Sequence, residues 1–303
     1  MNAPTTVSVK VSASTANLGP GFDCLAMALQ LWNKIEASLA DRPSVSIRGI
    51  GSDTLKKDQS NLIYKTMDTV RSQLAIKDMY FKIKCTNSIP LGKGLGSSSA
   101  AIVGGLISAN HLFGSPYSTN QLLQMASDIE GHPDNVAAAL LGGCQIVTKQ
   151  HDQLITSPIP VPRKLTCVLF VPETTLSTNF SRGKLPKRIP MEDAVFNLGR
   201  VALLVNSFNQ SHFDLLATAT EDKLHQPIRS KLFPAFKYIT EAAKKAGALG
   251  ALLSGGGPTV LAFTTDREMT IGYEMADAAK VLGISGQIMM LKPNVQGPRI
   301  RVK

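Results

Sequence analysis

One segment of the chain, residues 90–100 with the sequence PLGKGLGSSSA, limits the possible folds more than any other. Three glycines within five positions let its backbone adopt left-handed dihedral angles and approach a ligand closely. Three serines follow directly and open an apolar stretch that we predict to be a helix over residues 97–112. A helix start offers free N–H groups and a partial positive charge, which favours a phosphate. An ordinary turn remains the alternative.

This segment matches neither of two common phosphate-binding loops. The P-loop pattern G-x-x-x-x-G-K-[ST] does not fit, and neither does the dinucleotide-binding pattern G-x-G-x-x-G. Lys93 lies inside the segment, where its side chain could contact a phosphate or remain solvated. The serine hydroxyls add hydrogen-bond donors, and they are also possible Mg²⁺ ligands.

A second glycine-rich segment, residues 254–259 with the sequence SGGGPT, lies between two predicted strands. It is either an ordinary hairpin turn or a backbone surface that packs against the first loop. In the second case both segments would enclose a triphosphate, because glycine backbone can approach a ligand closely.

A third segment, residues 130–135 with the sequence EGHPDN, places four polar side chains in front of an apolar helix. Capping that helix would need only one of them. Glu130 is a candidate Mg²⁺ ligand, because Mg²⁺ takes oxygen ligands. Helix capping on an exposed polar surface is the alternative.

A fourth segment, residues 16–23 with the sequence ANLGPGFD, forms a tight turn after a predicted strand. Loops that follow strands often carry substrate contacts. Asp23 could bind a substrate ammonium or accept a hydroxyl proton, and Asn17 lies in the same turn. Taken alone, the two residues also fit an ordinary turn.

Composition indicates a globular protein, since 44% of the 303 residues are hydrophobic and 18% are charged. No apolar stretch reaches the ~18 residues that a membrane helix needs, and the start of the chain has no secretory pattern. We therefore expect a cytoplasmic protein without a membrane partner. The four cysteines form no C-x-x-C pair and the histidines show no metal-binding spacing, which argues against a zinc site.

The net charge of +10 makes nucleic-acid binding one alternative. The basic residues are scattered, and no aromatic residues interleave with the two densest runs, residues 184–188 and 299–303. We therefore expect no nucleic-acid partner. A basic field would also attract anionic metabolites and ATP.

The order of predicted elements indicates a mixed α/β (α+β) chain in two halves. Alternation predicts a strand over residues 7–13, and apolar spacing predicts a helix over residues 61–74. Residues 150–162 are polar and rich in proline, so we predict an N-terminal domain over residues 1–155 and a C-terminal domain over residues 156–303. The second half approximates the order β-α-β-β-α-β.

In their order and spacing, the four segments resemble the GHMP small-molecule kinases, and most closely the homoserine kinases among them. Residues 90–100 are similar to the family pattern P-x-x-x-G-L-G-S-S, and residues 254–259 to its C-terminal glycine motif. Residues 17–23 and 132–135 are similar to blocks typical of the homoserine kinases. Ser99 and Ser181 depart from the pattern, because alanine is common at both positions.

The resemblance implies the GHMP kinase fold, with an N-terminal half like ribosomal protein S5 domain 2 and a ferredoxin-like C-terminal half. It implies ATP and Mg²⁺ as cofactors, with Ser98 and Glu130 as metal ligands. The implied ATP contacts, with Asn61 nearest the base, are Asn61, Pro90, Leu91, Gly92, Lys93, Gly94, Leu95, Gly96, Ser97, Ser98, Ser99, Ala100, Gly255 and Gly256.

The activity that the resemblance implies is phosphorylation of the L-homoserine hydroxyl to O-phospho-L-homoserine, in threonine biosynthesis. Homoserine needs an anionic partner for its ammonium and cationic partners, such as arginine, for its carboxylate. The implied catalytic residues are Asp23, Ser98 and Glu130. The implied substrate contacts are Asn17, Asp23, His132, Asn135, Thr178, Arg182 and Arg229. Whether a dedicated base exists is open, with Asp23 the first candidate and Asp134 the second.

Two other functions are weighed against this one. Another GHMP kinase could act on mevalonate or a sugar, but such substrates lack an ammonium and would leave Asp23 without an evident partner. A basic RNA-binding protein on an S5-like fold would give the glycine segments and residues 130–135 no role. The family resemblance also implies a possible homodimer.

Overall fold

The chain folds into two β-sheets that are covered by helices. The structure is a computed structural model that describes residues 5–176 and 178–303. The strands are β1 (Val7–Ala16), β2 (Leu25–Ala40), β3 (Ser44–Gly49), β4 (Tyr80–Asn87), β5 (Cys144–Gln150), β6 (Gln153–Ile159), β7 (Thr166–Pro172), β8 (Gly250–Leu253), β9 (Val260–Thr264), β10 (Gly286–Leu291) and β11 (Arg299–Val302). The helices are α1 (Leu62–Gln73), α2 (Ser97–Leu112), α3 (Thr119–Glu130), α4 (Asp134–Leu141), α5 (Thr178–Gly183), α6 (Met191–Gln210), α7 (Leu216–Ala219), α8 (Gln226–Leu232), α9 (Ala235–Lys245) and α10 (Glu268–Val281). Within the described ranges, none of these helices is long and apolar enough to cross a membrane.

Alternating side chains give the larger sheet one buried face and one open face. Its strand order is β11-β1-β2-β4-β3, and β5 extends it by pairing with β2 and with β6. Val9 and Ile35 lie opposite each other in the buried face, with Ile83 on the next strand. Helix α2 packs on β1 and β2, and α1 packs beside α2. The first turn of α2 is therefore held at the edge of a buried sheet face.

The open face of this sheet gathers basic side chains from distant parts of the sequence. Lys10 lies between Lys34 and Arg299 on neighbouring strands, and Lys84 lies opposite Glu36. Residues that are scattered along the chain thus share one surface. Its field attracts anions, which suits a protein that acts on anionic metabolites.

The smaller sheet confirms the β-α-β-β-α-β order predicted for the second half. Its strands are antiparallel in the order β10-β7-β9-β8, and α9 and α10 pack together against it. Every residue of β7 is buried, because Leu169 faces the main core while Phe170 faces a second core under α10. This explains why β7 is a continuous apolar run rather than an alternating one.

The two sheets share the chain unequally. The domain boundary predicted after residue 155 falls inside β6, and β11, at the end of the chain, pairs with β1 in the larger sheet. The division into residues 1–155 and 156–303 stays a proposal about folding units. In the structure, strands β1 to β6 belong to the larger sheet and strands β7 to β10 to the smaller one. The last strand, β11, belongs to the larger sheet again.

Residues 226–245 form two helices rather than one continuous helix. Helix α8 ends at Leu232, and Pro234 is the residue before the first turn of α9. Proline has no N–H to donate and its ring clashes with the preceding turn, so a helix does not run through it. The break leaves Arg229 on a short helix of its own.

Candidate active site

A cavity of about 600 Å³ lies where residues 90–98, the start of α1 and the second glycine segment meet. Part of its lining is apolar, from Ile35, Ile47 and Leu55, and part is polar, from the glycine loop and Glu130. Such a mixture suits a ligand with both a flat apolar group and a charged group. Of the predicted nucleotide contacts, Ser99 and Ala100 do not line the cavity, because both are buried in the first turn of α2.

The start of α2 is open towards this cavity. Gly96, directly before the helix, has a φ of 66°, a conformation that favours glycine, and it has no side chain to cap the first turn. Ser97 and Ser98 line the cavity, and Ser98 is exposed. The helix start therefore offers N–H groups to an anion, as the sequence predicts.

Two serines of α2 bind one carboxylate oxygen at the end of α3. Ser98 Oγ donates to Glu130 Oε1 at 2.6 Å, and Ser99 Oγ donates to the same oxygen at 2.8 Å. Hydroxyl and carboxylate oxygens are the ligands that Mg²⁺ prefers, and Mg²⁺ needs few protein ligands when phosphates supply others. The two predicted metal ligands are thus in contact, at the edge of the cavity that Ser98 and Glu130 both line.

His132 forms a close pair with Asp134 beside this carboxylate, with 2.8 Å between Nδ1 and Oδ1. Burial disfavours the imidazolium, but the hydrogen bond to Asp134 and its negative charge outweigh burial and raise the pKa of His132. The next residue, Asn135, accepts a hydrogen bond from Ser14 Oγ at 2.8 Å. His132 and Asn135 both line the cavity, so these two of the predicted substrate contacts lie beside the glycine loop of residues 90–98.

The Lys93 side chain is buried, which differs from both expectations for it. Its Nζ donates to the carbonyls of Glu173 and Thr174, at 2.5 and 2.6 Å. Burial lowers the pKa of Lys93, partly offset by the charge of Glu173. The ammonium thus ties the glycine loop to the segment before α5, and only the Lys93 backbone remains a natural phosphate contact.

The second glycine segment packs directly on the first. Ser254 Oγ donates to the Gly94 carbonyl at 2.6 Å, and the Gly255 N–H donates to the Ala16 carbonyl at 3.1 Å. A side chain on Gly94 would collide with the Ser254 carbonyl oxygen, so this approach requires glycine. The predicted contact between the two segments is present, and Gly255 and Gly256 line the cavity.

The Asp23 carboxylate is engaged by Arg182. Two guanidinium nitrogens donate to its two oxygens, at 2.7 and 2.6 Å. Asn17, with a φ of 68°, accepts from the Asp23 N–H at 3.1 Å and donates to the Gly255 carbonyl at 3.0 Å. The groups expected to bind opposite ends of one ligand are therefore paired with each other.

Arg229 reaches the same carbonyl from α8. Its NH1 donates to Gly255 O at 2.9 Å, and its Nε donates to Ser181 Oγ at 3.0 Å. Asn17, Asp23, Arg182 and Arg229 do not line the large cavity. Asn17 and Arg229 both donate to the Gly255 carbonyl, and Gly255 itself lines the cavity, so this glycine lies between the cavity and the predicted substrate cluster.

The two remaining predicted contacts are Asn61 and Thr178. Asn61 borders the cavity, but its side chain is occupied: Oδ1 accepts from the Ile63 N–H and Nδ2 donates to the Lys56 carbonyl. It therefore holds the start of α1, and its contact with the base stays a prediction. Thr178 begins α5, and its side chain lies outside what the structure describes.

Sequence reasoning missed several residues of the site. Ser14 and Asn33 are polar residues on strands, and no motif marks them. Asn33 lines the cavity and accepts from the Ser88 and Ile89 N–H groups just before the glycine loop. A polar residue inside an apolar strand was the one available signal.

Two family models and several relatives that cover nearly the whole chain match this protein. The family model "GHMP kinases N terminal domain" matches residues 61–143, and "GHMP kinases C terminal" matches residues 196–271. The homoserine kinase of Moorella thermoacetica is 41% identical over 285 residues, 94% of this chain and 96% of that protein. That of Carboxydothermus hydrogenoformans is 40% identical, over 96% of this chain and 95% of the relative. The crystal structure of homoserine kinase from Cytophaga hutchinsonii superposes with a TM-score of 0.88 at 31% identity, covering 99% of both chains.

The contact between the glycine segments predicts different effects for two similar substitutions. Gly94 and Gly92 both have positive φ, at 74° and 64°, but only a Cβ at Gly94 meets backbone. We expect Gly94→Ala to lower the free energy of unfolding by about 1–3 kcal/mol more than Gly92→Ala, and to weaken ATP binding more. Denaturant unfolding and ATP titration measure both quantities. Equal losses for the two variants would contradict the close approach.

The pair of His132 and Asp134 predicts a shifted titration. Because the pKa of His132 is raised, the imidazolium persists above the ordinary ~6.5, and the stabilisation it gives is lost as pH rises through the new value. NMR titration of His132 should show a raised midpoint in the natural chain and a lower one in Asp134→Asn. The same midpoint in both would remove Asp134 as the cause.

Proposed function

This chain belongs to the GHMP kinases, in the branch of the homoserine kinases, and from that premise we propose that it transfers the γ-phosphoryl group of ATP to the hydroxyl of L-homoserine. The product is O-phospho-L-homoserine, an intermediate of threonine biosynthesis.

One observation carries the proposal: two clusters of different chemistry meet at a single glycine. On one side of Gly255 lies a cavity with an open helix start, and on the other lie Asp23, Arg182 and Arg229. The first cluster suits a polyphosphate, and the second suits a small zwitterion. A kinase for an amino acid alcohol needs both, side by side.

The nucleotide side depends on backbone groups. The N–H groups at Ser97 and Ser98 would donate to the terminal phosphates, and the glycine loop would follow the rest of the triphosphate. The apolar lining from Ile47 and Leu55 would receive the base. Phosphoryl transfer depends mainly on position and charge stabilisation, so these rigid donors supply much of what it needs.

Ser98 and Glu130 are the residues that would hold Mg²⁺, since their oxygens are 2.6 Å apart at the cavity edge. When bound there, Mg²⁺ would neutralise negative charge on the phosphates. Ser99, through its hydrogen bond to Glu130, keeps the carboxylate turned towards α2.

The substrate side would exchange partners when homoserine binds. Its ammonium would take the place of Arg182 at the Asp23 carboxylate, and its carboxylate would accept from Arg182 and Arg229. The ion pair keeps both groups close to the geometry proposed for binding. Asn17 holds the Asp23 N–H, and so fixes the turn on which this exchange takes place.

The hydroxyl of homoserine would point from this cluster towards the phosphate loop, past His132 and Asn135. Asp23 is paired with the Arg182 guanidinium, and Asp134 is hydrogen-bonded to the His132 ring. The proposal therefore needs no dedicated base, because the hydroxyl can lose its proton to the transferring phosphoryl group late in the reaction. Asp23 remains the first candidate for a base and Asp134 the second.

Two further expectations, on cellular location and on assembly, accompany this function. We infer a cytoplasmic location, since ATP and an amino acid would be the substrates. We also infer a homodimer as a possible assembly for this family, which light scattering of the purified chain would test.

Phosphorus NMR tests the reaction directly. The chain with Mg-ATP and L-homoserine should produce a new phosphomonoester signal as ATP is converted to ADP. Mevalonate and a sugar in place of homoserine should give no such signal. Turnover of either alternative, with none of homoserine, would overturn the proposal.

Asp23→Asn tests the substrate side. Losing the charge that would bind the ammonium should raise the KM for homoserine by about tenfold or more, while the KM for ATP stays close to its natural value. The ATP constant serves as the internal control, because Asp23 does not line the nucleotide cavity. Unchanged homoserine kinetics would remove Asp23 from the site.

A further inference from the structure

Arg229 is a buried cation whose described hydrogen-bond partners are all neutral. Its side chain is 1% exposed, and it donates to Ser181 Oγ, the Gly255 carbonyl and a ring nitrogen of His225. Burial, and then the nearby charge of Arg182, lower the pKa of Arg229 to about 10, so it stays charged near neutral pH. A buried charge normally pairs with an opposite one. Arg229 is therefore organised to receive a negative group.

His225 lies one helical turn before Arg229 and is fully buried. Its Nδ1 is 2.9 Å from Arg229 NH1, and its Nε2 is 2.7 Å from the Gly19 carbonyl. A guanidinium can only donate and a carbonyl can only accept. Nδ1 must therefore accept and Nε2 must carry the hydrogen, which makes the ring neutral and fixes its tautomer. Burial in turn lowers the pKa of His225, in agreement with a neutral ring.

A carboxylate lies near, but its oxygens are used elsewhere. Asp222 accepts from the N–H groups of Leu224, His225 and Gln226 at 2.6–3.0 Å, so it holds the start of α8. Its closest approach to the ring is 3.5 Å, at Nε2, on the side away from the nitrogen that faces Arg229. A neutral ring nitrogen thus stands where an acidic side chain would otherwise neutralise the guanidinium.

Phe22 fixes the ring and the guanidinium from another side. Its ring stacks on His225 with 5.4 Å between centroids, and the guanidinium carbons of Arg229 and Arg182 lie 5.5 and 5.3 Å from its centroid. Phe22 directly precedes Asp23 in the chain. His225 is therefore packed into the same cluster as the groups proposed to bind the substrate.

We propose that His225 is a positioning residue for substrate recognition: as the neutral Nε2–H tautomer it orients Arg229 towards a ligand carboxylate while leaving the positive charge of the guanidinium unpaired. This inference rests on the proposed function, in which Arg229 receives the carboxylate of homoserine. A carboxylate in place of His225 would hold Arg229 as well, but it would compete with the substrate for the same charge.

Two substitutions separate the two ends of the ring. The amide of His225→Asn reaches as far as Nδ1 of the natural ring and can accept a hydrogen bond from Arg229. The amide of His225→Gln reaches as far as Nε2 and can donate a hydrogen bond to the Gly19 carbonyl. We expect His225→Gln to raise the KM for homoserine at least about tenfold more than His225→Asn does. The value of kcat should change less, because the lost interaction is one of substrate binding.

The KM for ATP and the melting temperature serve as controls. A purely structural role would lower stability and alter both substrate constants by similar factors in the two variants, and that result would overturn the inference. His225→Asp is the test of neutrality. Its side chain is the same size as that of Asn and can also accept from Arg229, so a KM for homoserine equal to that of His225→Asn would contradict the role of an unpaired charge.

A measurement on the natural chain keeps the inference testable if a variant does not fold or if homoserine is not the substrate. Nitrogen-15 NMR of His225 near neutral pH should show Nε2 protonated and Nδ1 unprotonated. An Nδ1–H tautomer or an imidazolium would overturn the inference by itself. Absence of homoserine turnover in the natural chain, with the expected tautomer, would instead contradict the proposed function.

Discussion

The close approach of two glycine segments is the contact on which the rest of the site depends. Ser254 and Gly255 bond to the Gly94 and Ala16 carbonyls, so the segment after β8 is fixed both to the phosphate loop and to the end of β1. These are contacts to backbone, and a side chain on Gly94 would prevent them. The contact joins the two sheets at the point where the nucleotide cavity ends.

The same contact separates two kinds of electrostatic environment. On the cavity side, the groups at the start of α2 are amides and hydroxyls, together with the carboxylate of Glu130. On the other side, Asp23, Arg182 and Arg229 are full charges that are partly or wholly buried. In the proposed function, a polyphosphate and a zwitterion would each meet complementary groups, and Gly255, which has no side chain, would let the two ligands approach each other.

The sequence predicts the backbone of the site better than its side-chain pairs. The glycine segments and the open start of α2 follow from local motifs, because glycine and helix-start chemistry are local properties. In the sequence, the pairing of Ser98 with Glu130, 32 positions apart, is implied only by the family resemblance. The order β-α-β-β-α-β of the second half is also confirmed, because the apolar spacing that distinguishes strands from helices is a local property too. Which residues contribute as substrate ligands stays a prediction.

Pairs of distant residues could not be predicted in this way. Arg182 and Asp23 are 159 positions apart, and only the folded chain shows that their side chains form an ion pair with each other. Three other features are also visible only in the folded chain. They are the burial of Lys93, the neutral partner of Arg229 and the basic open face of the larger sheet. Ser99 and Ser181, which depart from the family pattern, each form a hydrogen bond to a charged residue of the site, so these departures have local structural roles.

In the proposed function, backbone amides at the start of α2 bind the terminal phosphates of a nucleotide. Amide NMR shifts of Ser97 and Ser98 test it most directly, with a non-hydrolysable ATP analogue and Mg²⁺ compared with adenosine. We expect large shifts of these amides with the analogue and little change with adenosine. Equal shifts with both ligands, or none with the analogue, would contradict the account.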